Sequence, residues 1–160
     1  MDNTRKETDR LHQLLGSVVD PEIPVLTLAN LGVIREVRYD NGSVDITITP
    51  TYAGCPAMKT MREDIERTLA KEGYDDVTVR ECLSPAWTTD WISEEGREKL
   101  RAYGIAPPAK TSCGKTIESI ACPQCSSEDV KQISEFGSTA CKALYQCHGC
   151  LEPFDYFKCL

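Results

Sequence analysis

A chain of 160 residues has room for one modest core and a small appendage. With 41% hydrophobic and 27% charged residues it is not a disordered or fibrous protein, and no continuous apolar run reaches the ~18 residues of a membrane span. A net charge of -7 with scattered basic residues argues against a nucleic-acid partner, and the polar start "MDNTRKETDRLHQLL" has no apolar signal segment, so the chain reads as cytoplasmic.

Leu11, Leu14, Leu15 and Val18 follow the helical period behind a capping box running from Thr4 to Glu7, and the prolines of "DPEIP" end that helix. In "VIREVRYDNGSVDITITP" the Asn41-Gly42 pair predicts a two-residue hairpin, with Val44, Ile46 and Ile48 on the buried face of its second strand. The stretch "TYAGCPAMKTMREDIERTL" then starts a helix whose Met58, Met61, Ile65 and Leu69 share one face, with Gly73 as its stop. Val77 and Val79 mark a third strand, and Ser93 caps a short helix ending near Gly104. This order predicts an α+β fold with a small mixed sheet over residues 1–106, a linker at 107–119, and a separate C-terminal piece at 120–160.

That last piece holds six of the nine cysteines, and the odd total argues against a pure disulfide scaffold. "CPQC" and "CHGC" are separated by 21 residues that include two runs of extended character. Each C-x-x-C turn presents two sulfurs on one side, so Cys122, Cys125, Cys147 and Cys150 at hairpin spacing read as a zinc ribbon with a structural four-thiolate site. Iron or an iron–sulfur cluster suits the same donors, and a redox dithiol or free thiols are the alternatives. Neither motif is followed by histidine, so haem attachment is excluded. His148 reads as solvated; Cys82, Cys141 and Cys159 read as packed thiols, and Cys113 in the linker has no assigned role.

Cys55 stands apart, just before Pro56 and the second long helix. Three roles compete for it: a small buried hydrophobe, a nucleophile, or a metal ligand completed from elsewhere. Pro56 suits the first position of a helix, which would set the thiol among unsatisfied N–H groups and favour thiolate, with Lys59 adding positive charge. Packing at a strand–helix junction explains the same residue equally well. A triad is unsupported, because the two histidines, His12 and His148, lie in other segments. Glu63, Asp64 and Glu66 fall on a solvated helix face, and Asp20 and Glu22 of "DPEIP" suit a turn. No phosphate-binding loop or H-E-x-x-H motif is present.

Taken together, "VVDPEIPVLTLANLGVIREV", "VDITITPTYAGCP" and "SPAW" resemble the family of small iron–sulfur assembly factors that includes bacterial SufT and the cytosolic iron–sulfur targeting subunit of eukaryotes. The segment "EFGSTACKALYQCHGCLEPFDYFKC" narrows the resemblance to the branch encoded with the phenylacetyl-CoA epoxidase complex. The resemblance implies that Cys55, with Asp20 and Glu22, occupies signature positions for handling iron or a transient cluster. It implies a maturation role without independent catalytic activity, serving epoxidase components and in particular an iron–sulfur reductase. One cysteine cannot complete a cluster, so a homo-oligomer or a client complex follows. The alternative is a non-catalytic structural adaptor of the same complex.

Overall fold

The computed structural model describes residues 2–108 and 119–159, so Cys113 and most of the expected linker lie outside the described residues. The chain divides into two units, Met1–Trp87 and Thr88–Leu160. Among the described residues no helix is long and apolar enough to cross a membrane.

The first unit begins with helix α1, Asp2–Leu15, which buries Leu11 and Leu15. It starts earlier than its expected capping box, so Thr4 lies inside the helix and its carbonyl accepts the Thr8 hydroxyl at 2.9 Å. A four-residue helix α2, Leu28–Leu31, follows, with Thr27 and Asn30 exchanging side-chain and backbone hydrogen bonds at its start. This capping box is local and visible in "TLAN", but a helix this short leaves no periodic signal.

Strands β1, Ile34–Asp40, and β2, Ser43–Ile48, form the expected antiparallel hairpin. Its turn has φ of 48° at Asn41 and 98° at Gly42, the left-handed pair that a tight two-residue connection requires. Helix α3, Met58–Ala70, buries Met58, Met61, Ile65 and Leu69 as their spacing predicts. It crosses over to β3, Asp76–Glu81, which pairs parallel to β2 and completes a mixed sheet of order β1-β2-β3. Trp87 closes the unit, its buried indole N–H donating to the Leu31 carbonyl at 2.8 Å.

The second unit opens with a 3-10 turn at Thr89–Trp91 and helix α4, Glu94–Ala102, where the Ser93 hydroxyl accepts the Gly96 N–H at 3.0 Å. Strands β4, Ile105–Ala106, β5, Val130–Ser134, β6, Lys142–Cys147, and β7, Pro153–Phe157, form one sheet of order β4-β7-β6-β5. The boundary expected at residue 106 therefore falls inside this unit, because β4 pairs with β7 through Ile105–Asp155 and Ala106–Tyr156. Buried Arg97 ties the segment together by donating to the Thr89 carbonyl at 2.8 Å and to the Pro108 carbonyl. Strand β7 gives no alternation signal, since its buried residues, Phe154 and Phe157, are three apart.

Candidate metal centre and the Cys55 loop

The β6 end and two tight turns bring four sulfurs together. In the first turn the Ser126 N–H donates to the Cys122 carbonyl and the Cys122 N–H to the Ser127 carbonyl, both at 2.9 Å. The sulfurs of Cys122, Cys125, Cys147 and Cys150 all lie within 4.8 Å of one another, with Cys122–Cys150 at 3.7 Å and Cys125–Cys147 at 3.5 Å. A tetrahedral ion with metal–sulfur bonds of ~2.3 Å needs sulfurs ~3.8 Å apart, so the donor set fits a metal of that size. Around it pack Ala106, Phe154, Val130 and Tyr156, a small core for so many strands.

Electrostatics inside the cluster are unequal. The N–H groups of Cys150 and Gly149 point at the Cys147 sulfur from 3.5 and 3.3 Å. The Cys150 N–H, followed by the Cys125 thiol and the Gly149 N–H, draws the Cys147 thiol down to about 6 against the effect of burial. Cys150 receives the N–H of Glu152, yet burial and the competing sulfurs of Cys125, Cys122 and Cys147 push it up to about 12. Charge thus settles on Cys147 first, and a cation would be needed to strip the others. His148 is turned away: its Nδ1 lies 3.1 Å from the Asp129 carboxylate and its N–H donates to the Asp129 carbonyl at 2.9 Å.

The Cys55 loop differs from its sequence-based expectation. Helix α3 begins at Met58 rather than at Pro56, because the Cys55 N–H donates to the Tyr52 carbonyl and the Met58 N–H to the Cys55 carbonyl, each at 3.3 Å, in turns that precede the helix. Cys55 is 7% exposed, and burial raises its thiol above the ordinary 9.0, outweighing hydrogen bonds from the Ala57 N–H and the Tyr52 phenol. The exposed, low-pKa thiolate is therefore corrected to a buried, neutral thiol. Lys59 supplies no compensation, since its side chain is 85% exposed and turned to Glu63 at 3.8 Å.

The tertiary fold does bring Asp20 and Glu22 into electrostatic range of Cys55, where both carboxylates push the thiol further up. Asp20 is buried and its Oδ1 accepts the N–H groups of Glu22 at 2.8 Å and Ile23 at 2.7 Å, so it shapes the turn. Two features escaped the sequence reading. One is the Tyr52 phenol on the Cys55 sulfur; the other is a cavity of about 120 Å3 lined by Thr49, Thr51, Tyr52, Leu83, Ala86 and Trp87. Their only trace in sequence is that "TYAGC" and "SPAW" carry most of the lining residues. Of the remaining thiols, Cys141 is buried as expected, Cys82 is half-buried and donates to the Ser84 carbonyl at 2.9 Å, and Cys159 is disulfide-bonded rather than a free packed thiol.

Comparison with known proteins follows the same two-part division. The iron–sulfur cluster assembly protein family matches residues 8–80, which carry Asp20, Glu22 and Cys55, and the PaaD zinc beta ribbon domain matches residues 106–158, which carry the four clustered cysteines. Across both, the chain is 50% identical over 148 residues to PaaD, a component of the 1,2-phenylacetyl-CoA epoxidase of Escherichia coli K12, covering 92% of this chain and 90% of that one. The chain belongs to the PaaD family. Two further relatives of that family's assembly unit are alike only in the N-terminal part. The Fe-S protein maturation auxiliary factor SufT of Staphylococcus aureus is 32% identical over 85 residues, 52% of this chain and 96% of that one. A solved domain of unknown function, DUF59, from Bacillus anthracis is 26% identical and superposes with a TM-score of 0.58, covering 61% of this chain and 94% of its own. The PaaD pattern is thus an assembly-type unit joined to a metal-binding ribbon.

Proposed function

We propose that this chain is a maturation factor that supplies or repairs an iron–sulfur centre in a phenylacetyl-CoA epoxidase system, with the iron–sulfur reductase of that system as its client. The observation that carries this reading is the joining, in one PaaD-like chain, of an iron–sulfur assembly unit to the ribbon. Iron or a cluster is cargo here. The Cys55 sulfur holds it transiently, the Ala57 N–H and Tyr52 phenol stabilise the charged sulfur, and Asp20 keeps the neighbouring turn in shape. The remaining ligands come from a second protomer, the client or a small thiol, which makes a homo-oligomer or client complex part of the proposal. In the ribbon the resident ion is zinc, held by Cys122, Cys125, Cys147 and Cys150 as a closed structural site. The setting is the cytoplasm, where reduced thiols persist.

The test is the cluster content of the reductase purified from cells carrying this chain or its Cys55→Ser variant. The expected result is an assembled epoxidase system whose reductase is depleted of iron and sulfide. A second reading, a structural adaptor with no role in cluster supply, has one observation in its favour: Cys55 is buried and its thiol is raised. Unchanged cluster content and growth on phenylacetate, together with a lower melting temperature for the variant, would select the adaptor.

A further inference from the structure

The Cys55 sulfur presents a contradiction for any role in which it meets a ligand. It is 7% exposed, and a sulfur that is to bind cargo must be reached. The group hydrogen-bonded to it is the Tyr52 phenol, three residues away across the turn closed by the Cys55 N–H and the Tyr52 carbonyl. Tyr52 also forms one wall of the neighbouring cavity, so one side chain separates the thiol from an apolar void.

The surroundings of Tyr52 are unequally rigid. Behind the cavity, Trp87 is 4% exposed and its indole N–H is fixed on the Leu31 carbonyl. Thr49 on the near side is buried and its N–H is bound to the Val33 carbonyl at 2.9 Å. In contrast, Leu83 at the rim is 62% exposed, and the tip of the loop is Gly54 at φ 77°, with nothing within 4 Å of where a Cβ would stand. The void of about 120 Å3 approaches the ~150 Å3 that accepts a six-membered aromatic ring in a protein core. A rotation of the Tyr52 side chain between staggered wells therefore has a place to end.

We propose that Tyr52 is the gate of Cys55: its ring covers the sulfur in the closed state and swings into the cavity beside Leu83, Ala86 and Trp87 to bare it. The proposal rests on the role given to Cys55 above, and it makes Tyr52 a positioning residue that sets when the thiol is available. In the closed state the phenol holds the sulfur against premature reaction. In the open state the ring exchanges that hydrogen bond for apolar burial, so the two states stay close in free energy.

The test is the rate at which iodoacetamide labels Cys55 in the full-length protein, followed by mass spectrometry of the Cys55 peptide. Tyr52→Ala removes the cover; if the open state is populated to about 10% or less, labelling accelerates by about tenfold or more. Ala86→Leu fills the void without touching the thiol, and labelling slows by about threefold or more as the open state is lost. A residue with a merely structural role predicts the opposite sign for Ala86→Leu, because loosening the loop exposes the sulfur. Where Ala86→Leu lowers the melting temperature, Ala86→Val adds less volume and must still slow labelling. The gate is overturned if Tyr52→Ala leaves the rate unchanged, or if the cavity-filling variants leave it unchanged or raise it. Labelling requires neither iron nor client, so it is decided separately from the reductase measurement that tests the function.

Discussion

At Cys55, solvation outweighs the backbone dipoles that a helix start would offer. The Ala57 N–H and the Tyr52 phenol favour the thiolate, but burial, with Glu22 and Asp20, favours the thiol by more. The sign for stability follows: the folded value lies above the unfolded one, so the neutral thiol's contribution is intact at neutral pH and is lost as pH rises through the folded value. Iodoacetamide labelling of Cys55 should therefore keep rising beyond pH 9.0, where an ordinary thiol levels off; a plateau reached near pH 7 would contradict a buried thiol. Replacing it with serine puts a hydroxyl in the same pocket, and an expected loss of about 1 kcal/mol should appear in urea unfolding. The residue and its neighbour Pro56 were legible as a special position. Its burial was not, because the groups that cover it include segments tens of residues away.

At the level of elements, the local code is strong where the repeat is long. Met58, Met61, Ile65 and Leu69 define one face of α3, and all four are buried against the first unit's core. Ile65 is fully buried, so Ile65→Ala should cost about 3 kcal/mol, measurable as a lower denaturation midpoint at unchanged slope. Ser93 works through one hydrogen bond, and Ser93→Ala should cost about 1 kcal/mol on the thermal unfolding of the second unit. The Asn41-Gly42 turn and the Ser93 cap could be read directly because their geometry depends on adjacent residues. Strands β4 and β7 could not. Two residues carry no period, and β7 is a strand because β6 and β4 flank it on both sides.

For the whole molecule, the second unit couples its fold to a metal more tightly than the first. Its small core includes two of the clustered cysteines, Cys122 and Cys147, so metal binding and chain folding share the same residues. Cys147→Ser should release the metal and unfold the β5–β7 sheet while the helix signal of α1 and α3 persists in circular dichroism; full metal retention by that variant would refute the ligand set. Metal uptake should also weaken as pH falls through about 6, where Cys147 takes up its proton, and metal analysis across that range checks it. The spacing of "CPQC" and "CHGC" was enough to determine the four-sulfur cluster, because a C-x-x-C turn is built by its own backbone and a ribbon needs only hairpin distance between two of them. The hairpin, the α3 face and the mixed sheet were likewise determined by sequence, through contacts among near neighbours. What the tertiary structure alone decided is the meeting of Asp20, Glu22, Tyr52 and Cys55 beside a cavity walled by Trp87, and with it the neutral state of the thiol. Local spacing specifies which way a side chain leaves the backbone, whereas desolvation depends on what distant segments pack over it.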